Sequence, residues 1–287
     1  MEQCNRNQTP IHHTNQIMPT KQKLNPIQLS IDNAHPRDAF ITFDEGPHIY
    51  TVHGEQGYTS VTTFIHQKFS HFDPDEVIDG LEKKGKLKDP TYKYYGMTRD
   101  QIKQLWTENG QLASGSGTQM HFDIECYYNG LKPKNDSIEY QYFKYFVKDY
   151  PMLKAYRTEW MVYDEESKIS GSIDMVFENQ DGTCQIYDWK RVREIKYEDN
   201  WGGKMGKINC LKHLPDTNFW HYSLQLNTYR YILEKNYGKQ ITGMFLVCLH
   251  PENSCKTYQR VEVQDLRNEV EELFRRRKIE VANNTEK

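Results

Sequence analysis

GSIDMVFENQDGTCQIYDWKR, residues 171–191, decides how this chain is read. Two runs rich in Ile, Val, Phe, Tyr and Trp flank Asn-Gln-Asp-Gly, the composition of two strands around a turn. Three charges do not fit that picture. Asp174 stands between Ile173 and Met175, and Asp188 and Lys190 close the second run. Aspartate is depleted in strands, and a buried charge is costly unless paired or bound to a metal. Asp188 and Lys190 are two residues apart, so they share a face of their strand. Whether Asp174 joins them depends on the turn. A two-residue loop at Asp181-Gly182 pairs Asp174 with Trp189 and turns Asp188 away. A three-residue loop, Gln180-Asp181-Gly182, pairs Asn179 with Thr183 and sets Asp174 opposite Asp188. The longer loop wants glycine in the left-handed position at its end, and Gly182 sits there. Paired strand residues have Cβ atoms about 4.5–5.5 Å apart. Carboxylates that close repel unless a divalent cation lies between them, and hard cations such as Mg2+ take such oxygens. Lys190 beside them can orient an attacking water or stabilise charge growing on a phosphoryl oxygen. The plain alternative is a salt bridge between Lys190 and one of the acids.

Working outward, the chain has 287 residues, 27% of them charged and 37% hydrophobic, as in an ordinary soluble globular protein with a substantial core. No apolar run is long enough to span a membrane. The N-terminal stretch has no apolar core of a secretory signal. Six cysteines form no CxxC pair and read as free thiols in a reducing, cytoplasmic or nuclear compartment. The net charge is only −3, which argues mildly against a generally basic nucleic-acid binder. Distribution matters more than the total. Residues 190–212 hold seven basic side chains, Arg191, Arg193, Lys204 and Lys207 among them, against three acids.

Residues 1–37, rich in Asn, Gln, Thr, Pro and His, read as a disordered or extended tail, and 38–287 as one domain. A hairpin is expected around Asp44-Glu-Gly-Pro47, then short helices capped by Ser60 and Asp73. Thr98-Arg-Asp-Gln101 has capping-box spacing and should open a helix toward Trp106. Residues 117–130 and 137–150 read as two further helices. Strands follow at 155–164, 169–178 and 183–190, then an irregular segment over 194–216. A helix from Phe219 ends at Gly238. A buried strand over 241–249, a more exposed one over 256–263 and a helix over 263–278 complete the chain. This order predicts an α/β (α+β) domain, a mixed central sheet flanked by helices.

With its context the acidic hairpin stops being generic. Gly171-Ser-Ile-Asp174, then Asp188-Trp-Lys190, then Gln225-Leu-Asn-Thr-Tyr229 on a following helix, resembles the PD-(D/E)XK nuclease superfamily. Gly117-Thr-Gln-Met-His121 upstream resembles the helix motif of its RecB-like exonuclease branch. Four motifs stand in the expected order over roughly 115–250. The whole chain is similar to the stand-alone nuclease-like proteins of large DNA viruses. Ile173 departs from the pattern, where many members carry proline before the first acid.

The resemblance implies a restriction-endonuclease-like αβββαβ core with N-terminal helical additions, and a Mg2+- or Mn2+-dependent nuclease. Asp174 and Asp188 would be metal ligands, joined by the carbonyl of Trp189. Lys190 would be the catalytic lysine and His121 the histidine that completes the metal site. Gln225 and Tyr229, on one helix face at i and i+4, would contact DNA or orient the lysine. Glu159 matches an acid found in many relatives, and Glu125, i+4 from His121, would be a further ligand or a partner of one. Cys248 and Cys255 lack the spacing of the iron–sulfur variants, so no Fe–S cluster is expected. DNA with free ends or single-stranded regions is the expected substrate, in replication, recombination or repair. Basic residues after Lys190 would track its phosphates, and Trp189, Trp201, Phe219 and Trp220 would offer stacking surfaces. Competing readings are a silent nucleic-acid-binding module on the same fold, a glycosidase built on paired carboxylates and a purely structural protein. The lysine two residues from Asp188 has no evident role in the glycosidase.

Overall fold

The computed structural model describes residues 24–198 and 203–285. Trp201 and residues 1–23 lie outside the described residues. The hairpin that opened the sequence question is formed by β5 (Ile169–Glu178) and β6 (Cys184–Lys190). Its ladder runs from Glu178↔Cys184 to Met175↔Tyr187, the register of the three-residue loop. Asn179 N–H donates to Thr183 O at 2.8 Å and Gly182 N–H to Asn179 O at 3.0 Å. Gly182 has φ 82°, the left-handed region that a side chain would strain.

A six-stranded mixed sheet grows from this hairpin. β4 (Lys154–Asp164) runs antiparallel along one edge of β5. The other edge is shared: β3 (Thr59–Ser60) pairs in parallel at Ile169–Ser170, and β6 takes Met175–Glu178. β7 (Ile241–Cys248) lies parallel to β6, and β8 (Gln259–Glu262) antiparallel to β7. β1 (Ile41–Asp44) and β2 (Ile49–Val52) form a separate two-stranded hairpin.

Helices cover both faces. On one lie α2 (Val61–His66), α6 (Asn218–Asn236) and α7 (Arg267–Thr285), over a core with Trp160, Ile173, Ile186 and Leu246. On the other lie α5 (Ile138–Asp149) and the C-terminal half of α4 (Arg99–Tyr128), over Met175, Tyr187, Trp189 and Val247. α1 (Gln28–Asp32) rests on β4, and α3 (Pro74–Lys83) packs with the first turns of α4. Ser60, Asp73 and Thr98 cap their helices with side-chain oxygens as expected, and Ser137 caps α5 in the same way. The mixed sheet between helical layers is the expected fold class. No helix among the described residues is long and apolar enough to cross a membrane.

Four local expectations are corrected. Residues 24–37 are ordered. Asn33 and Asp38 bind Arg157, and Asp38 also accepts from the Trp160 indole N–H at 2.9 Å. The two helices expected around 98–106 and 117–130 are one 30-residue helix, α4. Gly110, Gly115 and Gly117 weaken its middle, but no proline breaks it, and both ends pack into cores. β8 is shorter than expected because the Asn253 side chain ties Cys248 O and Thr257 O into a turn. α7 starts four residues late because Asn227 holds Gln264 O and Leu266 N–H in a loop.

Both central strands roll over at one point. Ile169 and Ile173 pack under α6, whereas Met175 and Phe177 pack under α4 and α5. Regular alternation would put all four on one face. On β4, Thr158 meets Asn129 at the end of α4, while Trp160 lies under α6. The residues at the roll are Asp174 and Glu159. The ladder skips them between Thr158↔Met175 and Trp160↔Ile173. Glu159 has φ 42°, a costly conformation for a non-glycine residue.

Candidate metal centre and active site

The roll sends two acids toward α4, where His121 waits. His121 Nδ1 lies 3.4 Å from Asp174 Oδ2 and 3.8 Å from Glu159 Oε1. One ligand atom from each of the three lies within 4.8 Å of the others. Among the described residues this is the one such trio of His, Cys, Asp or Glu. Ser172 Oγ donates to Glu159 Oε2 at 2.8 Å and holds the carboxylate toward the trio.

Beyond residue 175, β5 and β6 part. Asp174 Oδ2 accepts the backbone N–H of Trp189 at 2.9 Å in place of a ladder bond. Asp188 and Lys190 turn toward α6. Gln225 Nε2 donates to Asp188 Oδ1 at 3.2 Å. Lys190 Nζ lies 2.7 Å from Asp188 Oδ2 and 4.6 Å from the ring centre of Tyr222. Asp188 is buried, and the Lys190 ammonium is the cation beside its Oδ2. Tyr229 is buried one turn beyond Gln225, its hydroxyl against the backbone of Gly171. A Cβ at Gly171 would sit 2.8 Å from that oxygen.

Electrostatics follow from this crowding. Burial raises the Asp174 carboxyl above its ordinary value against the pull of His121. Burial lifts Asp188 to about 6, although Lys190 opposes it. Burial and neighbouring Glu159 lift Glu125 to about 8. Burial alone would lower His121, but Asp174 and Glu159 prevail and push it up to about 9. Lys190 loses to burial but gains more from Asp188 and Asp174, so it is held as an ammonium. It cannot serve as a base near neutral pH.

The donors suit a divalent cation. Three carboxylates, Glu159, Asp174 and Asp188, meet around His121 and Lys190. Oxygen ligands suit Mg2+ and Mn2+, and an imidazole favours the transition ion. His121, Glu159 and Asp174 are close enough to share one ion, whereas Asp188, expected as a ligand, lies outside the trio with its oxygens on Gln225 and Lys190. Glu125 stands one helical turn further, on the same cavity wall but outside the trio.

Other expected residues are placed differently. Trp189 and Phe219 are buried, so neither offers a stacking surface, and Trp220 ties its indole N–H to Tyr197 O. The Trp189 ring packs among Tyr128, Phe143 and Phe146. Arg191 is locked to buried Glu139 of α5 at 2.7 Å. Arg193 is exposed, 3.5 Å from Glu252. Lys204 is exposed, 3.6 Å from Glu76, and Lys207 is exposed. Sequence reading missed Ser172 and Tyr222. Tyr222 is legible afterwards as the i−3 neighbour of Gln225, on the same helix face.

No protein-family pattern matches the chain, and no curated protein does. Among solved structures, the crystal structure of a candidate exonuclease from Eubacterium rectale aligns with 54% of this chain and 69% of its own. The match has 14% identity and a TM-score of 0.27, too low a likeness to carry an argument.

Proposed function

We propose that this protein is a divalent-metal-dependent phosphodiesterase acting on nucleic acid, most simply a DNA exonuclease. The observation that carries the reading is the meeting of His121, Glu159 and Asp174 at the strand roll, with Asp188 and Lys190 at the adjoining fork. The order of the four motifs supports it independently. A bound Mn2+ or Mg2+ supplies a polarised phosphate and a water of lowered pKa. The chain supplies the rest. Asp188 and the Tyr222 ring fix the Lys190 ammonium, which can meet negative charge developing on the phosphoryl oxygens. Gln225 orients Asp188, and Trp189 N–H orients Asp174. Arg193, Lys204 and Lys207 offer contacts to phosphates further along the strand.

The test uses end-labelled linear and closed-circular DNA, single- and double-stranded, with Mn2+, Mg2+ or EDTA, on wild type and Lys190→Ala. Metal-dependent loss of linear DNA, absent in the variant and sparing circles, supports an exonuclease. Cut circles mean an endonuclease. Binding of DNA without cleavage under any metal would favour the silent module and sink the enzymatic reading.

A further inference from the structure

The hairpin of β1 and β2 forms one wall of an open cavity of about 590 Å3 beside the candidate metal centre. His121 and Glu159 line it together with Phe43, His48, Tyr50 and Phe122. This size falls within the ~300–1,000 Å3 of ordinary small-molecule sites. Phe43 is half-buried, packed on Tyr50 with ring centres 4.5 Å apart. His48 is exposed and held edge-on to Phe43, ring centres 4.8 Å apart, by a left-handed backbone with φ 60°. The strained position therefore holds an aromatic pair at the cavity wall. Phe43 and Phe122 also keep part of their surface accessible, unlike Trp189 and Phe219.

Charge decides what enters. The wall carries Glu45 and Glu125 besides Glu159, and no lysine or arginine lines it. At the far end of the cavity, around Phe43, Glu45 and His48 and away from the ion that His121 and Glu159 would hold, no lysine or arginine is present to fix a second phosphate. A nucleobase is neutral, presents a flat π-face to Phe43, and its exocyclic amine can donate to a carboxylate.

Resting on the phosphodiesterase reading, we infer that this cavity is a subsite for one unpaired nucleobase, stacked on Phe43 beside the phosphate under attack. The phosphate backbone then runs on the Lys190 side, and the base points under the hairpin. Paired strands cannot offer a base this way, so the subsite selects single-stranded substrate.

The experiment takes short single strands, each lacking the base at one position, and measures cleavage by wild type, Phe43→Ala and Phe43→Tyr with Mn2+. Stacking predicts one position where base removal slows the wild type about tenfold or more. Phe43→Ala should slow cleavage of the intact strand by a similar factor, with no further loss on the strand abasic at that position. Phe43→Tyr, which keeps the ring, should restore the rate. Additive losses, or no base-dependent position, overturn the subsite while leaving the phosphodiesterase intact. No cleavage of any strand by wild type overturns that reading and the subsite with it.

Discussion

Lys190 and His121 divide the charge at the centre. Lys190 stays an ammonium, so its removal deletes a fixed positive charge. Lys190→Ala should lower metal-dependent cleavage about 10²–10³-fold, in the range of losing one oriented charge-stabilising donor, as single-turnover rates would report. His121 titrates at about 9 in the fold against 6.5 in an unfolded chain, because Asp174 and Glu159 outweigh burial. Its charged form therefore supports the fold fully below pH 6.5, and that support is lost as pH rises through 9. Glu125 is raised by burial to about 8 from 4.5, so the fold favours its neutral form. That contribution too disappears as pH rises toward 8. Both have the same sign. In EDTA the thermal midpoint should fall between pH 6.5 and 9, while Mn2+ affinity climbs and binding releases protons. Scanning calorimetry and titrations in buffers of different ionisation heat measure the two. A flat midpoint over that range would contradict the assignment.

The strand roll and α4 are the elements that place these residues. Gly171 lets Tyr229 approach the backbone of β5, so Gly171→Ala should displace α6, lower stability and reduce cleavage. The glycines of α4 differ. A Cβ at Gly110 or Gly115 meets nothing within 4 Å. Each change to Ala should stabilise the protein by about 0.5–1 kcal/mol, read as a higher urea midpoint with cleavage unchanged. The hairpin register was legible because Gly182 and a three-residue loop leave one solution. So were the caps, each a Ser, Thr or Asp before a periodic run. The unbroken α4 was not, since its glycines look like a boundary and only packing at both ends holds the helix. The meeting of Glu159 with Asp174 was legible only by resemblance. Alternation says nothing of a roll that inverts both strands, and a left-handed glutamate has no sequence signature.

At the scale of the molecule, the centre joins α4, β4, β5 and β6, segments up to 69 residues apart between His121 and Lys190. A cation held by His121, Glu159 and Asp174 would tie α4 to β4 and β5. At a hundred times its dissociation constant it adds about 2.7 kcal/mol. For a chain of this length that raises the thermal midpoint by roughly 5 °C. Asp174→Asn should abolish the rise. The cavity wall is equally composite, since the hairpin of β1 and β2 packs on β4. The most direct measurement is Mn2+ binding, by electron paramagnetic resonance of the free ion, to wild type and Asp174→Asn at pH 8. The account predicts binding to wild type and at least about 100-fold weaker binding to the variant, since losing a ligand should cost no less than the roughly 10–100-fold typical of losing a residue that only supports one. Equal binding by both proteins, or none by the wild type at millimolar Mn2+, would contradict it.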